Sequence, residues 1–359
     1  MKKFIIFLLF IIFIPNISAI TLNTKSLVAM DINSNRVFYE TNIDDKRLIA
    51  STTKIMTAVL AIEANKLELL VKAGEEVLPI YGSNIYIEYG ESMLLLDLIY
   101  GLMLRSGNDT AAVIASFVGG SEENFVNMMN SKAKEIGMDN TIFENPHGLD
   151  DTTKNYSTAK DLAILYAYAY KNTKFREIVS TKNYKTSTER KAYSWKNRTD
   201  IIFTYDKSTG GKTGYTPDAG KVLVSSASNK DLDIVIASFN SIYDYDLQKN
   251  IFEEIFNNYK NILLLDKENL VIDNSPYEDI LYIKESFYYP LDKNEENNIT
   301  RKIDIKEEKN YKDGEIVGEI LIYLDEELLG KREIFINKTK ESIWDKTKTF
   351  FSKFLAIFN

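Results

Sequence analysis

The chain has 359 residues, 45% of them hydrophobic and 27% charged, with a formal net charge of −8, one histidine and no cysteine. That length allows two domains and a sizeable core. The acidic balance removes any electrostatic case for binding nucleic acid, and the absence of cysteine excludes disulfides, thiol nucleophiles and Cys/His metal centres.

The N-terminal stretch MKKFIIFLLFIIFIPNISA carries two lysines, an apolar run from Phe4 to Ile14, a break at Pro15-Asn16 and a small residue at Ala19. Residues 1–19 have the layout of a secretory signal peptide, with an uncleaved N-terminal anchor as the competing reading. Losing Lys2 and Lys3 with it takes the formal charge from −8 to −10. Residues 20–258 open on one hairpin pattern (SLVAMD, the turn INSN, RVFYE) and close on another (KVLVSSA, SNKD, LDIVIASF). Helical periodicity lies between them. Strands at both ends of a segment with helices between predict an antiparallel sheet covered by helices, an α+β arrangement.

Residues 259–337 change texture. ILYIKESFYY, RKIDIKEE, EIVGEILIYLD and KREIFIN are strand-like, and Ile316, Ile320, Ile322 and Leu324 share a face at period two. A small all-β domain is predicted. Residues 338–359 return to a helical period: Ile343, Thr347, Phe350, Phe351, Phe354, Leu355 and Phe358 form one stripe, with five lysines against two acids. A strong apolar face, aromatics and reversed charge predict an amphipathic helix lying on an anionic membrane surface through Ile343 to Phe358. Docking on its own domain is the plainer alternative. Lys346, Lys348 and Lys353 exclude a transmembrane span.

The pattern S-x-x-K occurs three times, at Ser51–Lys54, Ser131–Lys134 and Ser157–Lys160. Ser131 and Lys134 fit the exposed side of a helix whose apolar side holds Phe125, Met129 and Ala133. Ser157 precedes the run LAILYAYAY, where Thr158 to Asp161 reads as a capping box. Ser51 stands at the start of a helix on which Ile55, Val59 and Ile62 share a side. A serine there has free backbone N–H groups beside it, and a lysine three residues on can reach its hydroxyl. Such a lysine acts as a base only when neutral, which requires burial or a nearby positive charge. Two further motifs single out Ser51. Ser106-Gly107-Asn108 is the only S-G-N in the chain and Lys212-Thr213-Gly214 the only K-T-G, and they follow in the order found in penicillin-recognising serine enzymes.

With these motifs go LVAMDINSNRVFYETN, ASTTKIMTAVLA, LIYGLMLRSGNDTAAVIA, FVNMMNSKAKEIGMDNT, FENPHGLD, YSTAKDLA and GGKTGYTPDAG. Residues 26 to about 258 closely resemble the D-alanyl-D-alanine carboxypeptidases among the low-molecular-mass penicillin-binding proteins, and the downstream β domain and amphipathic tail match the family's membrane-associated members. The resemblance implies a penicillin-binding-protein/β-lactamase-like transpeptidase fold and an exported enzyme without cofactor or metal. It would act on peptidoglycan stem peptides ending in D-Ala-D-Ala and be inhibited by β-lactam antibiotics.

The resemblance also implies the roles. Ser51 attacks the penultimate D-alanine carbonyl, Lys54 takes its proton, and Ser106 passes a proton to the leaving D-alanine. Asn108 holds the substrate amide. Lys212 supplies positive potential, and Thr213 binds the terminal carboxylate. Gly214 gives the substrate room, and the N–H groups of Ser51 and Tyr215 form the oxyanion hole. This chain departs from the family pattern in three places: Ile49 stands where proline is common two residues before the nucleophile, Gly211 where leucine or isoleucine usually precedes K-T-G, and NSIYDYDL lacks the arginine that many members carry near the substrate carboxylate. The last departure leaves carboxylate binding to Lys212 and Thr213. His147, in the family's NPHGL loop, reads as a structural turn residue, since a lysine already fills the role of base. A DD-endopeptidase, a β-lactamase and a non-catalytic wall-binding protein are the alternative functions. The only E-x-x-x-N between the second and third motifs, Glu123 to Asn127, falls within a helix and reads as chance, which predicts slow deacylation.

Overall fold

The structure is a computed structural model that describes residues 24–241, 244–272, 275–306 and 311–337. The signal peptide read at residues 1–19 and the amphipathic tail read at residues 338–359 lie outside the described residues. A five-stranded antiparallel sheet is built from Ser26–Asp31 (β1), Val37–Thr41 (β2), Ser208–Thr216 (β3), Gly220–Asn229 (β4) and Leu232–Phe239 (β5), in the order β2-β1-β5-β4-β3. Both expected hairpins are present, and β1 and β5 pair along their length from Ser26↔Phe239 to Asp31↔Ile234.

The sheet is covered on both faces, which is why its central strands read as continuous apolar runs. Period two divides each strand between two cores. Val28 and Met30 of β1, with Val235 and Ala237 of β5, join the larger core under the helices. Leu27 and Ala29, with Ile234 and Ile236, pack on the other face against Ile251, Phe252 and Ile255. Those three residues belong to the last helix of this region, α8 (Asp244–Asn258).

The larger core is made by α1 (Lys54–Glu63), α2 (Leu95–Leu104), α3 (Asn108–Gly119), α4 (Glu122–Glu135), α5 (Ala159–Tyr170) and α6 (Thr173–Ser180), while the short α7 (Ile201–Thr204) leads into β3. α1 is the centre of the bundle: every residue from Lys54 to Ile62 is buried. A helix apolar all round has no solvent face to offer, so its one charged side chain near the N-terminus is carried inside with it. At the start of α5, Thr158 caps the helix by accepting from the Asp161 N–H. The Asp161 carboxylate does not complete a capping box, because it accepts from the Asn140 N–H and the Thr141 hydroxyl.

The following region is β-rich, with Lys260–Leu265 (β6), Ile280–Tyr282 (β7), Phe287–Leu291 (β8), Ile299–Ile305 (β9), Ile316–Leu324 (β10) and Glu327–Asn337 (β11). β6 pairs with β8, and the other four form a sheet in the order β7-β11-β10-β9. Two expectations are corrected. ILYIKESFYY is two strands in different sheets, β7 and β8. Ile316 does not share the buried face of Ile320 and Ile322: a bulge between Ile316 and Gly318 resets the alternation, burying Val317 and leaving Ile316 46% exposed.

Arg36, from the turn before β2, joins the two regions. Its guanidinium pairs with Glu295 and donates to the Pro290 carbonyl, and it lies over the rings of Phe38, Tyr259 and Tyr289 at 4.9–5.5 Å. A planar cation can fill such an aromatic box and still reach a carboxylate, which an ammonium does less well.

Candidate active site

Ser51 lies in a 3-10 turn, Ala50–Thr53, that runs directly into α1. Ser51 is half-exposed, whereas Ala50 and Thr52 to Lys54 around it are buried. Ala50 is held at φ 45, a left-handed conformation unusual for a residue with a Cβ. What lies against Ala50 explains how that strain is retained. Gly148 of the FENPHGLD loop has φ 88, and a Cβ there would stand 1.9 Å from the Ala50 carbonyl oxygen. Only glycine lets this loop close on the nucleophile's turn.

Lys54 Nζ is buried completely. It lies 3.0 Å from Ser51 Oγ, 2.7 Å from Asn108 Oδ1 and 2.6 Å from the His147 carbonyl oxygen. The last two atoms can only accept. A neutral amine has two N–H groups and one lone pair, so it can donate to both and still accept from the Ser51 hydroxyl. The electrostatics favour that form. Burial, followed by the Lys212 charge and more weakly Arg198, drives the Lys54 pKa well below the ordinary lysine value, against an opposing pull from Asp109.

The S-G-N segment supplies the facing wall. Ser106 has φ 61, and its hydroxyl accepts from Lys212 Nζ at 3.0 Å. Asn108 begins α3. Its amide is engaged at both ends, Oδ1 by Lys54 and Nδ2 donating to the Tyr81 carbonyl. Asp109 accepts from the backbone N–H groups of Ile85, Tyr86, Ile87 and Thr110, so one buried carboxylate fastens the 81–87 loop to the motif.

The K-T-G residues lie on β3, an edge strand. Its alternation turns Lys212 and Gly214 toward Ser106 and Ser51. Lys212 is buried and also donates to the Thr213 carbonyl, and burial with the Arg198 charge lowers its pKa to about 7. A Cβ on Gly214 would stand 3.0 Å from both the Ile49 carbonyl oxygen and the Ser51 amide nitrogen. The glycine is therefore needed for the strand to pack on the nucleophile's own turn, a constraint the sequence reading assigned to substrate alone. Tyr215 is 67% exposed at the mouth.

Ser51, Ser106, Thr213, Gly214 and Tyr215 line one cleft of about 430 Å³; behind the lining Lys54 bonds Ser51 and Asn108, and Lys212 bonds Ser106. All eight residues singled out in the sequence come together there. The other two S-x-x-K matches do not: Ser131 bonds the Asn127 carbonyl on exposed α4, and the buried Ser157 pairs with Thr141. Glu123 is exposed on α4. His147 presents its carbonyl, not its ring, to Lys54. The ring Nδ1 accepts from the Leu149 N–H, and burial beside Lys54 lowers its pKa to about 3, so it is a neutral turn residue.

Arg198 and Ser83 also line the cleft, as do Lys221, Asp244 and Tyr245. The sequence reading did not select them. The only local signal for Arg198 is its position in YSWKNRTD, three residues after Trp195.

Lys212 generates a stability prediction. With a folded-state pKa near 7 it holds fewer protons folded than unfolded from there up to the ordinary lysine range, so its contribution to stability rises with pH over that window. Between pH 7 and 9 the wild type should gain roughly 2 kcal/mol from this group, and Lys212→Met should lack the gain. Urea unfolding of both proteins at the two pH values measures the difference, and parallel pH dependence would contradict it.

Residues 15–242 match the family model described as D-alanyl-D-alanine carboxypeptidase, and residues 275–342 match that of the penicillin-binding protein 5 C-terminal domain. The chain is similar to the D-alanyl-D-alanine carboxypeptidase DacF of Bacillus subtilis, with 34% identity over 223 residues that cover 60% of this chain and 57% of that protein. To DacC of Escherichia coli it is 32% identical over 232 residues, 61% of this chain and 57% of the relative. The matched part thus spans little more than half the length of these curated relatives. The crystal structure of penicillin-binding protein 5 from Haemophilus influenzae superposes with a TM-score of 0.75 at 23% identity, over 89% of this chain and 97% of that one. That likeness establishes the penicillin-binding-protein fold with its C-terminal all-β domain. By the extent of the family match, the chain belongs to the D-alanyl-D-alanine carboxypeptidase family.

Proposed function

We propose that the protein is a serine-type D-alanyl-D-alanine carboxypeptidase that removes the terminal D-alanine from peptidoglycan stem pentapeptides. The observation that carries this reading is the 3.0 Å contact between Ser51 Oγ and the fully buried Lys54 amine. As Oγ bonds to the carbonyl carbon of the penultimate D-alanine, its proton moves to the Lys54 lone pair. The carbonyl oxygen gains the negative charge and is met by the N–H groups of Ser51 and Tyr215, each worth ~3 kcal/mol or more in sites of this kind. Collapse breaks the peptide bond. The proton reaches the leaving nitrogen by way of Ser106, whose hydroxyl already accepts from Lys212. Water then attacks the Ser51 ester, with Lys54 again taking a proton, and the shortened peptide leaves.

Asn108 serves this cycle as a positioning residue. Its Oδ1 aims the amine, and Tyr81 fixes the amide's orientation. Burial and, when Lys212 is protonated, its positive charge both favour the unprotonated Lys54 amine. β-Lactams react at the same oxygen: Oγ opens the ring amide, and the resulting ester has no departing fragment to make room for water. The exposed setting of Glu123 supports slow deacylation, and no glutamate is among the described residues that line the cleft.

D-alanine release from a pentapeptide ending in D-Ala-D-Ala should fall by at least ~10³-fold in Ser51→Ala, and intact-mass measurement should find a penicillin adduct on the wild type only. Equal release by both proteins would overturn the mechanism. A wild type that forms no adduct and releases no D-alanine would leave a wall-binding role in its place. The same proposal places the enzyme outside the cytoplasm, delivered by residues 1–19 and held on the membrane surface by the stripe from Ile343 to Phe358. Deleting residues 340–359 should release activity into the soluble fraction, and persistent membrane attachment would count against the tail.

A further inference from the structure

Among the described residues, one aromatic side chain stands on a left-handed backbone: Tyr86, at φ 64. A bulky residue is disfavoured there, and glycine or asparagine would fit without strain. Nor does the ring gain burial in exchange, since Tyr86 is 71% exposed. Its backbone is fixed from several directions. Ile85 and Ile87 on either side are buried in the larger core. The N–H groups of all three residues donate to the Asp109 carboxylate, and the Tyr86 carbonyl accepts from Lys191 Nζ at 2.6 Å. The result is a tyrosine ring held rigidly in solvent. Strain that the surroundings over-determine, kept at an exposed ring, points to a task for the ring itself.

The ring stands at the rim of the cleft. Tyr86 comes three residues after Ser83, which lines the cleft, so the two lie within about 10 Å of each other. Its hydroxyl is near enough to Arg198, another lining residue, to offset part of the lowering that burial and Arg105 impose on that guanidinium. Tyr81 and Tyr89 of the same loop are also exposed, as is Tyr215 at the mouth. Arg190 fixes the Tyr89 carbonyl at 3.1 Å, and both Arg190 and Lys191 pair with Glu88. The charges between Tyr86 and Tyr89 are therefore mutually satisfied, and what the loop presents outward is tyrosine.

Rigid, flat rings with a hydroxyl at one edge and no spare charge suit a neutral ligand that has an apolar face and a polar rim. A pyranose ring is such a ligand, with C–H bonds on its face and hydroxyls round its edge. In a stem pentapeptide four residues separate the scissile bond from the sugar, a span of roughly 14 Å, which brings the sugar within reach of a rim that adjoins Ser83. We infer that the 81–89 loop binds the glycan strand that carries the stem peptide, with the Tyr86 ring stacked on a pyranose. This inference rests on the carboxypeptidase reading above. Tyr86 is a specificity-determining residue: it is remote from the bond that is cut and favours stem peptides still attached to sugar over free ones.

The test measures kcat/KM for D-alanine release from one pentapeptide ending in D-Ala-D-Ala, supplied free and linked to its disaccharide, for the wild type, Tyr86→Asn and Tyr86→Phe. Asparagine tolerates the left-handed backbone, so it removes the ring and leaves the loop in place. The wild type should favour the sugar-linked substrate, Tyr86→Asn should lose about 3- to 10-fold of that preference, and Tyr86→Phe should keep it. Any effect of the substitution on Asp109 or Lys54 acts on both substrates and cancels in the ratio. A wild type without the preference, or the same preference in Tyr86→Asn, would overturn the inference and leave the carboxypeptidase reading intact. A wild type that releases D-alanine from neither substrate would overturn both.

Discussion

The structure depends on one constraint: a lysine amine is kept out of water at the head of a helix that is buried all round. An unpaired ammonium in that position would be strongly unfavourable, and it is avoided by neutralising the group and giving each of its hydrogens a fixed acceptor. Asn108 and the His147 carbonyl are those acceptors. The remaining lone pair has one hydroxyl to turn to, that of Ser51. Burial of α1 therefore sets both the protonation state and the direction in which the base acts, and a core-packing decision becomes a catalytic one.

Other features secure this arrangement. Gly148 and Gly214 let a loop and a strand approach the nucleophile's turn closely: a Cβ would stand 1.9 Å from the Ala50 carbonyl oxygen at the first and 3.0 Å from the Ser51 amide nitrogen at the second. Ala50 and Ser106 both have left-handed backbones at the points where the chain turns into the cleft. Such conformations persist only where the surroundings over-determine them, and here the surroundings are the Gly148 loop and the Asp109-fastened loop. The second region is joined through Arg36 and its aromatic box, away from the cleft.

Much of this was legible in the sequence, for identifiable reasons. Ser51–Lys54 is a local relation fixed by helix geometry, and the S-G-N and K-T-G motifs each occur once, so their order singled out one match of three. The paired strands β1 and β5 read as apolar runs because both of their faces are covered. The misses are mostly non-local. The bulge that exposes Ile316 is the exception, since Gly318 within the strand is its local signal. The Asp161 carboxylate was expected to close a local box, but residues some twenty positions earlier claim it. Arg198 meets Ser83 across 115 residues of chain, a pairing that no local pattern announces. Asn108 and Gly214, singled out by their motifs, lie against Lys54 and the Ser51 turn. Those neighbours give each a reason that a motif cannot carry.

The central claim is that Lys54 is a neutral amine in the resting enzyme. NMR of protein carrying ¹³C at the lysine Cε positions tests it directly, with Lys54→Met used to assign the signal. The account predicts that the Lys54 resonance titrates well below the ordinary lysine range while surface lysines titrate within it. A Lys54 signal that stays in the ammonium position until the surface lysines also deprotonate would contradict the account, because the Ser51 hydroxyl would then face a group with no lone pair to receive its proton.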